Sequence, residues 1–157
     1  MARRPIKKKN IVKPDLRYNS VKVEKFINYV MWDGEKSVAR AVVYDCLAKV
    51  GEKAKTDNPV EIFDKAIKNV GPTVEIRSRR IGGANYTVPH DVRAERKLAL
   101  AMRWIIDVAR SRKGKPMAEK LADELIAASN NEGDAVAKRV NTHKMAEANK
   151  AFAHFAW

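Results

Sequence analysis

Apolar side chains in this chain recur at helical spacing in six separate runs, and that periodicity limits the possible folds more than any other feature. Val23, Phe26, Ile27, Val30 and Met31 line one face behind Ser20, a residue suited to an N-cap, and the run stops at Asp33-Gly34. A second run from about Glu35 to Val50 puts Ala39, Val42, Val43, Cys46, Leu47 and Val50 on one side, with Gly51 expected to end it. The third has Asn58 as cap, Pro59 at the first helical position and Glu61 able to reach back to the cap. Its apolar face, Phe63, Ala66, Ile67 and Val70, is closed by Gly71-Pro72. Leu98, Ala101, Met102, Ile105, Val108 and Ala109 form a fourth, with Asp91 as the expected cap. Ala118, Leu121, Ala122, Leu125 and Ile126 form a fifth behind Pro116, and Val136, Val140, Ala148 and Phe152 a sixth, running from about Asp134 toward the C-terminus. Short amphipathic helices are marginal alone and must bury their apolar faces on one another. The expected fold is mainly α, a six-helix bundle in one domain over residues 20–157.

One segment breaks the helical pattern. "VEIRSRRIGGANYTVPHDV" alternates with period two around Gly82-Gly83 and predicts a β-hairpin at about residues 73–90. With a two-residue loop, Ile81 faces Ala84, Arg79 faces Tyr86 and Arg77 faces Val88. Arg77, Arg79, Tyr86 and Val88 then share one face, and Ser78, Arg80, Asn85 and Thr87 the other. Neither face is cleanly apolar, so the ribbon is expected to protrude from the bundle.

Charge is segregated along the chain. Lys and Arg total 32 against 19 Asp and Glu, for a net charge of +13. Residues 1–20 hold seven basic and one acidic side chain, and residues 72–114 ten and four, while the remaining segments are nearly neutral. Residues 1–19, interrupted by Pro5 and Pro14, read as an extended basic arm carrying Arg3, Arg4, Lys7, Lys8, Lys9, Lys13 and Arg17. Arg96, Arg103 and Arg110 lie seven apart and form a stripe on the fourth helix, widened by Arg93, Lys97, Arg112 and Lys113. Within that helix only Glu95 and Asp107 offer counterions. Regularly spaced cations with few partners form a track for a phosphate backbone, and Tyr86 beside Arg79 can stack on an unpaired base. The expected partner is nucleic acid.

Other functions find little support. No apolar run is long enough to span a bilayer, and the basic start is followed by no apolar segment of a secretion signal. Three scattered histidines and the single Cys46 lack metal-ligand spacing, so no metal or cofactor is expected. Gly82-Gly83 lacks the following Lys-Ser/Thr of a phosphate-binding loop, and no nucleophile-base-acid set assembles, so the chain is not expected to be an enzyme. Cys46 suits a reducing, cytosolic compartment.

Longer blocks carry a family resemblance. "YNSVKVEKFINYVMWDGEKSVA", "VEIRSRRIGGANYTVP", "RKLALAMRW", "MAEKLADELIAA" and "NNEGDAVAKRVNTHKMAEANKAFAH" resemble, in order and over roughly residues 13–157, the bacterial small-subunit ribosomal protein seven family. The resemblance implies a helical protein with an extended hairpin that binds the 3′ major domain of small-subunit ribosomal RNA and helps start assembly of the subunit head. It also implies contact with neighbouring ribosomal proteins, and with transfer RNA and messenger RNA at the exit site. By position, it places the basic arm, the first-helix start with Lys22 and Lys25, and the Arg-rich fourth helix on ribosomal RNA. The hairpin residues Arg77, Arg79, Arg80 and Tyr86, and the segment holding Lys144 and Lys150, face the exit-site ligands; Lys36 completes the expected RNA-binding set. This chain has Asp15-Leu16 where the family often has Asp-Pro, Glu35-Lys36 for a Lys pair, and Phe155-Ala156-Trp157 for Tyr-Arg-Trp. The alternative is a nucleoid-type protein that binds double-stranded nucleic acid, which needs a groove-fitting element and dimer symmetry.

Overall fold

Helix α5 (Met117–Ser129) is the hub on which four of the other helices pack, and the computed structural model, which describes residues 12–155, shows why. Its Leu121, Ala122, Leu125 and Ala128 are all fully buried. The small Ala side chains let α2 (Lys36–Ala54), α3 (Pro59–Val70) and α4 (Ala94–Ser111) approach closely. α1 (Val21–Val30) closes the bundle against α2 and α4, with Phe26 meeting Phe63 of α3 edge to face at 5.2 Å. α6 (Asp134–Ala148) lies across α3, α4 and α5 and reaches the hairpin. Fully burying one large apolar side chain such as Phe26, Phe63 or Leu121 stabilises by roughly 1.5–3 kcal/mol. The bundle is therefore a rigid platform.

The hairpin has the register the alternation predicts. β1 (Val74–Ile81) and β2 (Ala84–Asp91) pair antiparallel with Ile81 opposite Ala84, Arg79 opposite Tyr86 and Arg77 opposite Val88. Both loop residues have positive φ, 55° at Gly82 and 91° at Gly83, the conformation that a two-residue turn matched to strand twist demands. The shared face is the inner one. Val88 is completely buried there, while Ser78, Arg80, Asn85 and Thr87 are exposed.

Three helix boundaries differ from the sequence expectation, and two expected caps form no capping bond. α2 runs through Gly51 for a further turn and ends at Lys55, whose φ of 51° lets Thr56 N–H reach Gly51 O at 3.1 Å. That extra turn is anchored from outside, because Lys53 Nζ bonds Asp123 of α5. Asp91 does not cap α4: it pairs with Val74, and the helix starts after Arg93. Ser20 and Asn58 stand at N-cap positions without side-chain capping bonds; Asn58 Nδ2 instead donates to Glu61 Oε1 at 3.0 Å. Finally, α6 stops at Ala148 rather than continuing to Phe152, and a 3-10 turn (Lys150–Phe155) folds back on β2. Tyr86 draws it there, with ring centres 5.3 Å from both Phe152 and Phe155.

Two buried carboxylates fasten the ends of the bundle. Asp15, only 3% exposed, accepts bonds from the N–H groups of Arg17 and Tyr18 at 3.0 Å and from Tyr44 Oη at 2.7 Å. Burial alone would raise its pKa, but those bonds outweigh burial and hold it below the usual carboxylate value. Residues 12–19 are thus pinned to α2. Glu124 of α5, fully buried, bonds Arg112 and accepts Ala135 N–H at 2.9 Å, capping α6 from a neighbouring helix. Gly133 makes room for it: a Cβ there would stand 2.9 Å from Glu124 Oε1, and its φ is 92°.

Candidate nucleic-acid interface

The cations of α4 follow one ridge of the bundle surface. From Arg96 to Arg110 the helix advances about 21 Å at 1.5 Å per residue. Arg96, Arg103 and Arg110 are all exposed, as are Arg93 and Lys113. The ridge leans on α1. Arg103 lies 5.5 Å from the centre of the Tyr29 ring, and Arg110 lies 5.1 Å from that of Trp32 while donating to Val30 O at 3.2 Å. Lys25 of α1 flanks the cleft between the two helices, with Tyr29, Glu95 and Leu98. At the root of the arm, Arg17 sits 5.6 and 5.5 Å from the Tyr18 and Tyr44 rings. An aromatic face orients a guanidinium without cancelling its charge. These arginines are aimed and remain charged toward solvent.

Other expected RNA contacts are engaged by the protein's own acids. Glu75, nearly buried, takes Arg77 Nε at 2.8 Å and Arg96 Nε at 3.2 Å. Burial pushes its pKa up, but the two arginines more than reverse that and hold it below the usual value. Arg112 bonds Glu124 and, at 3.1 Å, Asp134. Lys22 pairs with Asp64 at 2.9 Å, and Lys36 with Glu24. The helix's own acid Asp107 goes to Lys138 instead. The counterions for α4 thus come from outside the helix. Arg77, Arg96, Lys22 and Lys36 keep substantial exposure and so still present a donor edge outward, whereas Arg112 Nη2 is shared between buried Glu124 and Asp134.

On the hairpin, Arg79 donates to Phe155 O and Tyr86 packs on Phe152 and Phe155, so both hold the C-terminal turn. Arg80, on the opposite face, is exposed. Lys144 and Lys150 are exposed on α6 and the 3-10 turn, and the Lys97 stem packs over Gly71, where a Cβ would stand 2.8 Å from it. Among the described residues, no ion pair engages Lys13, Arg17, Lys25, Arg80, Arg93, Lys97, Arg103, Arg110, Lys113, Lys144 or Lys150. Arg3, Arg4, Lys7, Lys8 and Lys9 lie outside the described residues. Trp32 lies outside the charge pattern; its signal in the sequence is a bulky aromatic immediately before an Asp-Gly turn.

Among the described residues no group of three His, Cys, Asp or Glu side chains is placed to hold a metal ion. Cys46 is a buried thiol whose pKa burial raises to about 12, leaving it inert. His143 Nε2 faces Thr73 N–H at 3.1 Å, and burial, with Arg139 and Lys97 nearby, lowers its pKa. No helix among the described residues is long and apolar enough to cross a membrane.

Comparison with known proteins agrees with the charge pattern. Residues 2–150 match the family model described as ribosomal protein S7p/S5e. The small ribosomal subunit protein uS7 of Caldanaerobacter subterraneus subsp. tengcongensis is 54% identical over 153 residues, covering 98% of this chain and 97% of its own length. Those of Thermotoga maritima and Methylocella silvestris are each 51% identical over 157 residues, covering the whole of both chains. The nucleoid-type alternative gives way to that match. The chain belongs to the ribosomal protein S7p/S5e family and is a structural, non-enzymatic, RNA-binding component of the small ribosomal subunit.

Proposed function

We propose that the protein binds the 3′ major domain of small-subunit ribosomal RNA and helps start assembly of the subunit head. In this reading the bundle, residues 20–157, is one RNA-binding domain and residues 1–19 are a basic arm that extends its reach. Arm, α1 start and α4 ridge neutralise phosphates, with Arg93, Arg103, Arg110 and Lys113 as the central contacts. The hairpin and the segment with Lys144 and Lys150 face transfer RNA and messenger RNA at the exit site, and other helix faces meet neighbouring ribosomal proteins. The setting is the cytoplasmic ribosome of bacterial type.

The observation that carries the reading is the ridge itself. Arg103 and Arg110 are oriented by Tyr29 and Trp32, yet no carboxylate among the described residues pairs with them. Holding such unpaired charge close together on a folded surface is costly unless a polyanion answers it. Chemical footprinting of small-subunit RNA with and without the protein tests the reading. Protection clustered in the 3′ major domain is expected; protection spread evenly over the RNA, or none, contradicts it.

A further inference from the structure

We propose that Trp32 and the cleft beside it form a stacking seat for one unpaired nucleobase of the RNA whose backbone the α4 cations hold. The inference rests on the RNA-binding reading above and adds a contact of a different kind, made to a base rather than to phosphate.

Trp32 is 67% exposed, unusual for a side chain of its size. Its backbone opens a tight turn in which Asp33 and Gly34 have φ of 48° and 84°, closed by Glu35 N–H to Trp32 O at 2.9 Å. The root of the ring is therefore fixed before any ligand arrives, which lowers the ordering cost of binding. A Cβ placed on Gly34 would meet nothing within 4 Å, so the turn is open on its outer side. Arg110 lies over the ring at 5.1 Å and is itself tied to Val30 O. Beside the ring is a cleft of about 170 Å³ lined by Val30, Trp32, Val38, Val42 and Met117, with Val38 55% exposed.

The chemistry around the ring selects the occupant. A phosphate gains from Arg110 but meets an apolar wall and the exposed carboxylates of Asp33 and Glu35. A flat base matches the ring and the wall, and carboxylates accept hydrogen bonds from the amino groups of cytosine, adenine or guanine. Arg110, which has no carboxylate partner among the described residues, then meets the phosphate of the same nucleotide. An apolar segment of a partner protein would cover the cleft and leave that guanidinium unanswered, so the base is the better fit.

The test uses the full chain with Trp104→Phe and Trp157→Phe, leaving Trp32 as its one tryptophan. The probe is an in vitro transcript of the 3′ major domain. Saturation with RNA is expected to quench Trp32 emission. In the unmodified background, Trp32→Ala is expected to weaken binding roughly 5- to 100-fold with an unchanged salt slope and an unchanged melting curve, and Trp32→Phe to restore most of it. Emission that stays unquenched, with Trp32→Ala binding as tightly as the parent, overturns the base seat while a steep salt slope leaves the phosphate track standing. Failure of the parent chain to bind the transcript, or a flat salt slope, overturns the reading beneath it. A blue shift on adding neighbouring small-subunit proteins, without a response to RNA, assigns the cleft to protein and overturns the seat.

Discussion

Arg112→Ala should destabilise the protein and leave its salt-dependent grip on RNA intact, the reverse of what Arg103→Ala should do. The two arginines lie nine residues apart and read alike in sequence, but their surroundings differ. Arg112 neutralises Glu124, which is fully buried, while its second partner Asp134 is exposed. Removing one member of a buried pair costs about 3–5 kcal/mol because the other charge stays buried. The Arg112 side chain is itself one-third exposed, and Glu124 keeps its bond from Ala135 N–H, so a loss of about 2–4 kcal/mol is the better figure. For a chain of this size that is a fall in melting temperature of about 5–15 °C. Arg103 stacks on Tyr29 and makes no ion pair among the described residues, so Arg103→Ala should cost at most about 1 kcal/mol. If it meets a phosphate, it should also lower the slope of log K against log salt by about 0.9. The assays are thermal melting by circular dichroism and filter binding to the 3′ major domain transcript across a salt series. An Arg112→Ala protein that melts with the parent but loses salt slope would refute the division into fastening and gripping arginines.

Other outcomes follow from the same contacts. Arg77→Ala with Arg79→Ala should lower the melting temperature measurably, because Glu75 loses one of two partners and Phe155 O its donor; an unchanged melt would mean these arginines do not fasten the hairpin. Asp15 and Glu75 have folded pKa values below 3.8 and 4.5, so their stabilisation is present above those values and fades as pH falls through the lower folded values. Asp15→Asn should flatten the acid limb of a stability–pH curve, and an unaltered limb would contradict that assignment. His143 has a folded pKa below 6.5, so acid below that value should weaken its contact with Thr73 N–H, and His143→Gln should remove that part of the pH dependence from an amide-exchange profile of Thr73. Tyr86→Ala should release the 3-10 turn, seen as faster amide exchange over residues 150–155 with the bundle unaffected; equal exchange would show that the aromatic cluster does not hold it.

What was legible in the sequence was what depends on near neighbours. Gly82-Gly83 with alternation on either side fixes the hairpin register, and Pro59 after Asn58 marks the start of α3. What was not legible depends on residues far apart in the chain. Gly51 looks like a stop, but α2 continues through it to close at Lys55, where Lys53 also meets Asp123, seventy residues away in the chain. Asp91 is a good cap by type, yet pairing with Val74 keeps it in a strand. The helical spacing of Ala148 and Phe152 is real, but Tyr86 pulls Phe152 and Phe155 out of the helix. The same holds for the site. Clustered cations announce a polyanion, but which of them are spoken for is decided by Glu75 meeting Arg96 and by Glu124 meeting Arg112 across the fold.

The central claim is that arginines oriented by aromatic rings, and left without acid partners, grip the phosphates of ribosomal RNA. Its most direct test is the salt dependence of binding to the 3′ major domain transcript, measured for the parent and for Arg103→Ala with Arg110→Ala. With six or more phosphates neutralised, the parent slope should be about −5 or steeper, and the double variant should flatten it by nearly 2. A parent slope near zero, or a double variant whose line stays parallel to the parent's, contradicts the claim.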